Sequence, residues 1–312
     1  MKTIPVTPPY LQPGDTVGIC CLAYKLTYDD IAAGVKLLES WGLRVLIGET
    51  VGAEDRQFGG SDALRIQDFQ QMLDNPQVKA IFSARGGYGT TRILDKIDFA
   101  GLQRNPKWII GYSDITALLC HLLYLGHESL HATMPKLMGQ PDTQEADETL
   151  RRALFGEELK YQEPSHPMNR LGAATGVLAG GNLILLDTLV NTASDLDYTG
   201  KILFLEDVGE NFYNLDRVLV HLRRMGRLQK LAGLVLGQFT EMKDNTVPFG
   251  RTVEEIVLEH CAGTDFPICF DFPVGHVPRN VAMIVGREAR LEVSGTGTSL
   301  TFSQGRDSEI VS

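Results

Sequence analysis

The sequence predicts an α/β fold in two parts, a parallel sheet covered by helices on both faces followed by a smaller mixed α/β part. Short apolar runs alternate with amphipathic helical stretches through the first half, the pattern of a doubly covered parallel sheet. At 312 residues the chain suits two domains or one large one. Between Gln140 and Arg170 it turns polar, proline-bearing and poor in periodicity, as a connection between domains would. The expected division is residues 1–145, a linker at 146–172, and residues 173–312.

Element by element, Thr16 to Leu22 reads as a buried strand. Tyr28 to Trp41 reads as a helix with Ile31, Val35 and Leu38 on one face, stopped by Gly42. Leu43 to Ile47 is the next strand, and Ser61 caps a helix running through Leu73. Val78 to Ser83 is a strand ending in a glycine-rich turn, with another helix from near Thr90. The strand Trp108–Ile110 and the helix after Ser113 complete the first part. In the second, helices are expected at Asn182–Asn191 and Asp216–Met225, and strands at Lys201–Leu205 and Leu231–Leu236. The stretch from Asn280 to Phe302 has strand character, with Met283–Val285 and Arg290–Val293 in it.

Composition bounds the function. Apolar residues make up 43% and charged residues 22%, ordinary for a globular protein. A formal charge of −10 argues against nucleic acid or an anionic membrane as partner. No apolar run approaches the roughly 20 residues of a membrane span. The N-terminal stretch to Gly14 lacks the apolar core of a secretory signal, so a cytoplasmic protein is expected. Cys20, Cys21, Cys120, Cys261 and Cys269 form no C-x-x-C pair and read as buried, reduced thiols.

The stretch Trp108-Ile109-Ile110-Gly111-Tyr112-Ser113-Asp114 has the layout of a strand-to-helix elbow. Such an elbow lifts a serine hydroxyl clear of the sheet and sets helix N-terminal amides beside it. Alternatively Ser113 or Asp114 is a plain N-cap. Ile115 stands where G-x-S-x-G has its second glycine, so this is not an ordinary α/β-hydrolase elbow. The glycine-rich loop Ser83-Ala84-Arg85-Gly86-Gly87-Tyr88-Gly89-Thr90 either points amides at an anion or is a tight turn. It fits neither a P-loop nor G-x-G-x-x-G. Glu206 and Asp207 close an apolar strand, as loop caps or with one of them orienting a histidine. His276, in a turn-rich segment between Pro273 and Pro278, is a candidate base or a surface residue. His121, His127, His131, His166, His221 and His260 sit in helical patterns, beside them or in the linker. No H-E-x-x-H or close acidic–histidine cluster calls for a metal. The order Ser113, Glu206, His276 matches that of α/β-hydrolase triads.

Taken together, Ala84-Arg85-Gly86-Gly87-Tyr88-Gly89, Gly111-Tyr112-Ser113-Asp114, Gly180-Gly181-Asn182-Leu183, Leu205-Glu206-Asp207 and Gly275-His276 resemble the motifs of the LD-carboxypeptidase family. That family of serine peptidases includes muramoyltetrapeptide carboxypeptidases and microcin C immunity peptidases. The resemblance runs from about residue 13 to 295. It implies a flavodoxin/Rossmann-like N-terminal domain carrying the nucleophile Ser113, and a mixed α/β C-terminal domain supplying Glu206 and His276. It also implies an oxyanion hole from the Gly87 and Asp114 amides, no cofactor or metal, and a homodimer. The implied substrate is a muropeptide whose LD-peptide bond is cut to release D-alanine, in cytoplasmic peptidoglycan recycling. Arg85 is the candidate cation for the substrate's free carboxylate, or a structural ion-pair partner, and Arg279 is a second candidate. Two alternatives remain, a peptidase of peptidyl or aminoacyl nucleotide conjugates and a non-catalytic muropeptide-binding protein. The 24 residues between Gly181 and Glu206 carry no long aromatic-bearing insertion, whereas the resemblance implies a longer loop in the immunity peptidases, and this tilts the expectation mildly toward the murein substrate.

Overall fold

The computed structural model describes residues 5–305; the start of the N-terminal stretch and the polar last residues fall outside it. The chain divides into two compact units. Of the described residues, the first holds those up to Glu158, Pro278–Gly286 and Gln304 with Gly305; the second holds Leu159–Val277 and Arg287–Ser303.

The first unit begins with β1 (Thr16–Cys20), α1 (Tyr28–Ser40), β2 (Arg44–Ile47), α2 (Asp62–Asp74) and β3 (Val78–Ser83). There follow α3 (Thr90–Ile93), α4 (Ala100–Arg104), β4 (Trp108–Gly111), α5 (Thr116–Tyr124), β5 (Ser129–His131) and α6 (Gln144–Leu154). The second unit carries β6 (Lys160–Glu163), β7 (Gly172–Asn182), α7 (Leu183–Thr188), β8 (Lys201–Val208) and α8 (Phe212–Arg224). It continues with β9 (Gly233–Thr240), α9 (Val253–His260) and β10 (Ile268–Cys269). The chain then returns to the first unit as β11 (Met283–Val285) and closes the second with β12 (Glu288–Val293) and β13 (Thr298–Phe302).

In the first sheet the order is β11-β5-β4-β3-β1-β2, parallel except for β11, which pairs antiparallel with β5. The parallel part is the doubly wound order 2-1-3-4-5, whose switch point lies between β1 and β3. The second sheet, β10-β9-β8-β7-β12-β13-β6, is parallel from β7 to β10 and antiparallel on the other side.

Local chemistry sets the element ends. Thr27 and Asp30 close a capping box on α1, and Ser61 Oγ accepts the Leu64 amide of α2 at 3.2 Å. Where the sequence reads as strand to Leu22, β1 ends at Cys20, because the Cys21 amide donates to Thr50 Oγ at 2.8 Å. Residues 140–170, read as a connection, contain α6 and β6. The expected helix at 182–191 is only α7, capped by Asn182 Oδ1 on the Leu185 amide, and α8 starts at Phe212 rather than Asp216. The glycines of β7 mask its strand signal, whereas the Thr252–Glu255 capping box of α9 was readable.

Buried Asp68 on α2 accepts the Thr50 amide at 2.9 Å, the Glu49 amide at 3.2 Å and the Thr50 hydroxyl. Through Thr50 it ties α2 to the segments following β1 and β2. Asp68→Ala strands these donors and is expected to lower the unfolding free energy by about 2–4 kcal/mol, read as a shifted urea midpoint at unchanged slope.

Candidate functional site

The first unit presents an elbow. β4 ends at Gly111, Tyr112 stays extended, and Ser113 opens a 3-10 turn, Ser113–Ile115, that feeds α5. Ser113 has φ 63°, a left-handed backbone that costs a side-chain-bearing residue roughly 1–2 kcal/mol. Its neighbours Tyr112, Asp114 and Ile115 are buried while Ser113 is only half-buried, so the turn lifts the hydroxyl out of the sheet's end. The glycine-rich loop after β3 leans on it. A Cβ at Gly86 would lie 3.0 Å from Ser113 Cβ and 3.2 Å from its Oγ, so a larger residue would press on the serine and push it aside by a few tenths of an ångström. Gly87 is exposed. The Ala84 amide donates to the Cys20 carbonyl at 2.8 Å, fastening the loop's start to the end of β1.

Arg85 lies over the Tyr24 ring at 5.4 Å and donates to the Lys25 carbonyl at 3.4 Å. No carboxylate among the described residues lies within ion-pair distance of it. Arg279, by contrast, is exposed and paired with Glu145 at 2.6 Å. The carboxylate of Asp114 is 2% exposed and accepts the Thr90 amide at 2.8 Å, a contact that nothing in the sequence announces.

The second unit holds a histidine–carboxylate pair. Glu206, at the carboxyl end of β8, is wholly buried, and its Oε2 stands 2.7 Å from His276 Nδ1. Given a buried acceptor, Nδ1 carries the proton and donates it, leaving the lone pair on Nε2. A bulge shapes this end: Leu205 pairs with Leu236 but Asp207 with Phe239, so β9 carries one extra residue beside Glu206. A Cβ at Gly275 would fall 2.7 Å from Glu206 Cβ, so the turn before His276 closes on the acid only with glycine there. Burial alone would lower the proton affinity of His276. The hydrogen bond to Glu206 and the charges of Glu206, Asp207 and Glu241 outweigh it, and the pKa is raised.

Adjacent side chains on a strand point to opposite faces, and the two acids divide accordingly. Asp207 accepts from Asn182 Nδ2 at 2.8 Å, the Val208 amide at 2.9 Å and the Ile184 amide at 3.1 Å, holding the start of α7. Burial, then the neighbouring Glu206 charge, push its pKa up to about 6. Three more histidines face carboxylates: His221 with Asp187 and His260 with Asp216 join helix to helix, and His166 with Asp271, at 3.7 Å, joins two irregular segments. Among the described residues no group of three His, Cys, Asp or Glu could hold a metal ion, and no helix is long and apolar enough to cross a membrane. All five cysteines are buried, and none is joined in a disulfide.

A left-handed serine at a strand-to-helix turn, and a histidine ordered by a buried acid, are the equipment of the serine hydrolase class. Residues 17–132 match the LD-carboxypeptidase N-terminal domain and residues 175–291 the LD-carboxypeptidase C-terminal domain. The murein tetrapeptide carboxypeptidase of Pseudomonas aeruginosa is 31% identical over 292 residues, covering 90% of this chain and 94% of the relative. The crystal structure of muramoyltetrapeptide carboxypeptidase from Oxalobacter formigenes matches with TM-score 0.85 at 27% identity, over 93% of this chain and 99% of that one. The microcin C7 self-immunity protein MccF, in complex with aspartyl sulfamoyl adenosine, matches with TM-score 0.86 over 95% and 98% of the two chains. At 21% identity that last match is a likeness of fold. The chain belongs to the LD-carboxypeptidase family.

The backbone strain at Ser113 has a measurable signature. Ser113→Gly relieves it and Ser113→Ala does not, so the glycine variant is expected to be more stable than the alanine variant by about 1 kcal/mol in urea unfolding. Equal stabilities would mean that the strain at position 113 is no larger than the entropy cost of glycine in the unfolded chain.

Proposed function

We propose that this protein is a serine carboxypeptidase that hydrolyses the LD-peptide bond of murein tetrapeptides and releases D-alanine. The observation that carries the proposal is the half-buried Ser113, held in a left-handed turn at a strand end with the glycine loop against its hydroxyl. The substrate class comes from the relatives named as murein tetrapeptide and muramoyltetrapeptide carboxypeptidases.

In the proposed mechanism Ser113 Oγ attacks the scissile carbonyl while His276 Nε2 takes its proton. The Gly87 and Asp114 amides receive the developing oxyanion, each such donor being worth on the order of 10²–10³ in turnover. His276 then protonates the departing amine of D-alanine, and a water activated by the same imidazole cleaves the acyl-enzyme. Glu206 keeps the ring oriented and stabilises its cationic form. Arg85 receives the terminal carboxylate of the substrate, a role compatible with its lack of a carboxylate partner among the described residues. A cytoplasmic homodimer belongs to the same proposal.

The test is D-alanine release from L-Ala-γ-D-Glu-meso-diaminopimelate-D-Ala, followed by mass spectrometry, with Ser113→Ala alongside. Tripeptide formed only by the unmutated protein is the expected outcome. Release by both proteins would remove Ser113 as nucleophile. Release by neither, with cleavage of an aminoacyl sulfamoyl adenosine instead, would make this a nucleotide-conjugate peptidase.

Two further outcomes follow from the geometry. A protonated Nε2 cannot act as base, and His276 holds its proton to higher pH than usual. The kcat/KM profile is therefore expected to fall with decreasing pH through a value above 6.5, the ordinary histidine value. Glu206→Gln removes the charge that sustains this, so the acid limb moves to lower pH as the rate drops. Arg85→Ala is expected to raise KM for the tetrapeptide by about 10–100-fold, the worth of a charge-assisted contact, while kcat changes less. An unchanged KM would take Arg85 out of substrate recognition.

A further inference from the structure

One peptide group in the glycine-rich loop is gripped from both sides. The carbonyl of Gly89 accepts from Arg65 Nη1 at 3.0 Å, and the amide of the same peptide, on Thr90, donates to Asp114 Oδ2 at 2.8 Å. Both partners are buried, Arg65 at 0% and Asp114 at 2% exposure. Arg65 is itself anchored, pairing with Asp62 at 2.5 Å, donating to the Leu22 carbonyl and lying 4.8 Å over the Phe58 ring. Burial raises the Asp114 carboxyl pKa above its ordinary value, and the Thr90 side chain, the amides of Thr90 and Gly89 and the Arg65 charge offset that only in part.

Asp114 directly follows Ser113, and the loop it grips contains Gly86, which lies against the Ser113 hydroxyl, and Gly87. Three glycines in this stretch leave the backbone little intrinsic stiffness, so its position must come from outside contacts. An oxyanion donor works only within a few tenths of an ångström of its position. We infer that the Asp114 carboxylate is a positioning residue: with Arg65 it clamps the Gly89–Thr90 peptide and thereby sets the distance between the serine and the Gly87 amide. Asp114 thus has two separate tasks, its backbone amide as a donor to the oxyanion and its side chain as the tether of the other donor. The inference rests on Ser113 being the nucleophile, as proposed above.

The two tasks separate by mutation, because Asp114→Ala keeps the amide and removes only the tether. Steady-state D-alanine release from the tetrapeptide is measured for the full chain and for Asp114→Ala, Asp114→Asn and Ser113→Ala, with thermal unfolding of each. Asp114→Ser, too short to reach the Thr90 amide but still polar, is a second truncation should the alanine variant fail to fold. The expected result is a loss of kcat on the order of 10²-fold in the truncated variants, with KM within about threefold. Asn, whose side-chain oxygen still accepts the Thr90 amide, is expected to restore kcat to within about tenfold of the unmutated protein. A merely structural role would lower the unfolding temperature without this division between Ala and Asn. Folded truncations with unchanged kcat, or equal losses for Ala and Asn, would overturn the inference while an inactive Ser113→Ala leaves the nucleophile standing. An active Ser113→Ala would instead remove the nucleophile and the clamp's purpose with it.

Discussion

Glu206 is taken wholly out of water, and the local arrangement of the second unit is organised around that fact. An ionised carboxylate in a protein interior carries a desolvation penalty of several kcal/mol unless donors meet it. The His276 ring supplies one such donor at 2.7 Å, and the absence of a side chain at Gly275 lets the turn come close enough to deliver it. A second charge could not share that space. Strand alternation sends Asp207 to the other face, where an asparagine and two amides receive it. Even there the carboxyl holds its proton up to about 6, with burial and the charge next door acting together.

The first unit meets the opposite difficulty, since its candidate groups are backbone amides and a hydroxyl on turns. The 2-1-3-4-5 strand order brings the ends of β1, β3 and β4 side by side, the glycine loop springing from β3 and the elbow from β4. The rigidity comes from side chains below the turns. Ile115 is fully buried beneath the elbow, Thr50 and Asp68 fasten the segments after β1 and β2, and Arg65 runs through the interior to reach the loop.

Much of this was legible before any coordinates. The first-half strands and helices follow from apolar periodicity, because parallel strands buried on both faces and amphipathic helices leave strong signals. Ser113, Glu206 and His276 stand out because each sits where a regular pattern breaks. The left-handed φ of Ser113 is not readable in that way, since nothing in its residue type requires it. Nor are the partners of Asp114 and Arg65, which lie far along the chain and read simply as a helix-start acid and a helix-face cation. Strand β7 was hidden by its glycines and β5 by its brevity, whereas α9 was missed despite a legible capping box. The division of labour between Glu206 and Asp207 became visible only once the strand assigned each a face.

The passage of β11 back onto β5 has a bearing on how the protein is made. Neither unit is a continuous stretch of chain: the first is completed only by Pro278–Gly286 and the second only by Arg287–Ser303. During vectorial synthesis the ribosome must therefore pass Val285 before the first sheet has all its strands, and Phe302 before the second does. A nascent chain halted after Glu158 would present β5 as an unpaired edge, a template for association with other strands. The two sheets thus close within a short interval of synthesis, and a truncated product is left with an adhesive border.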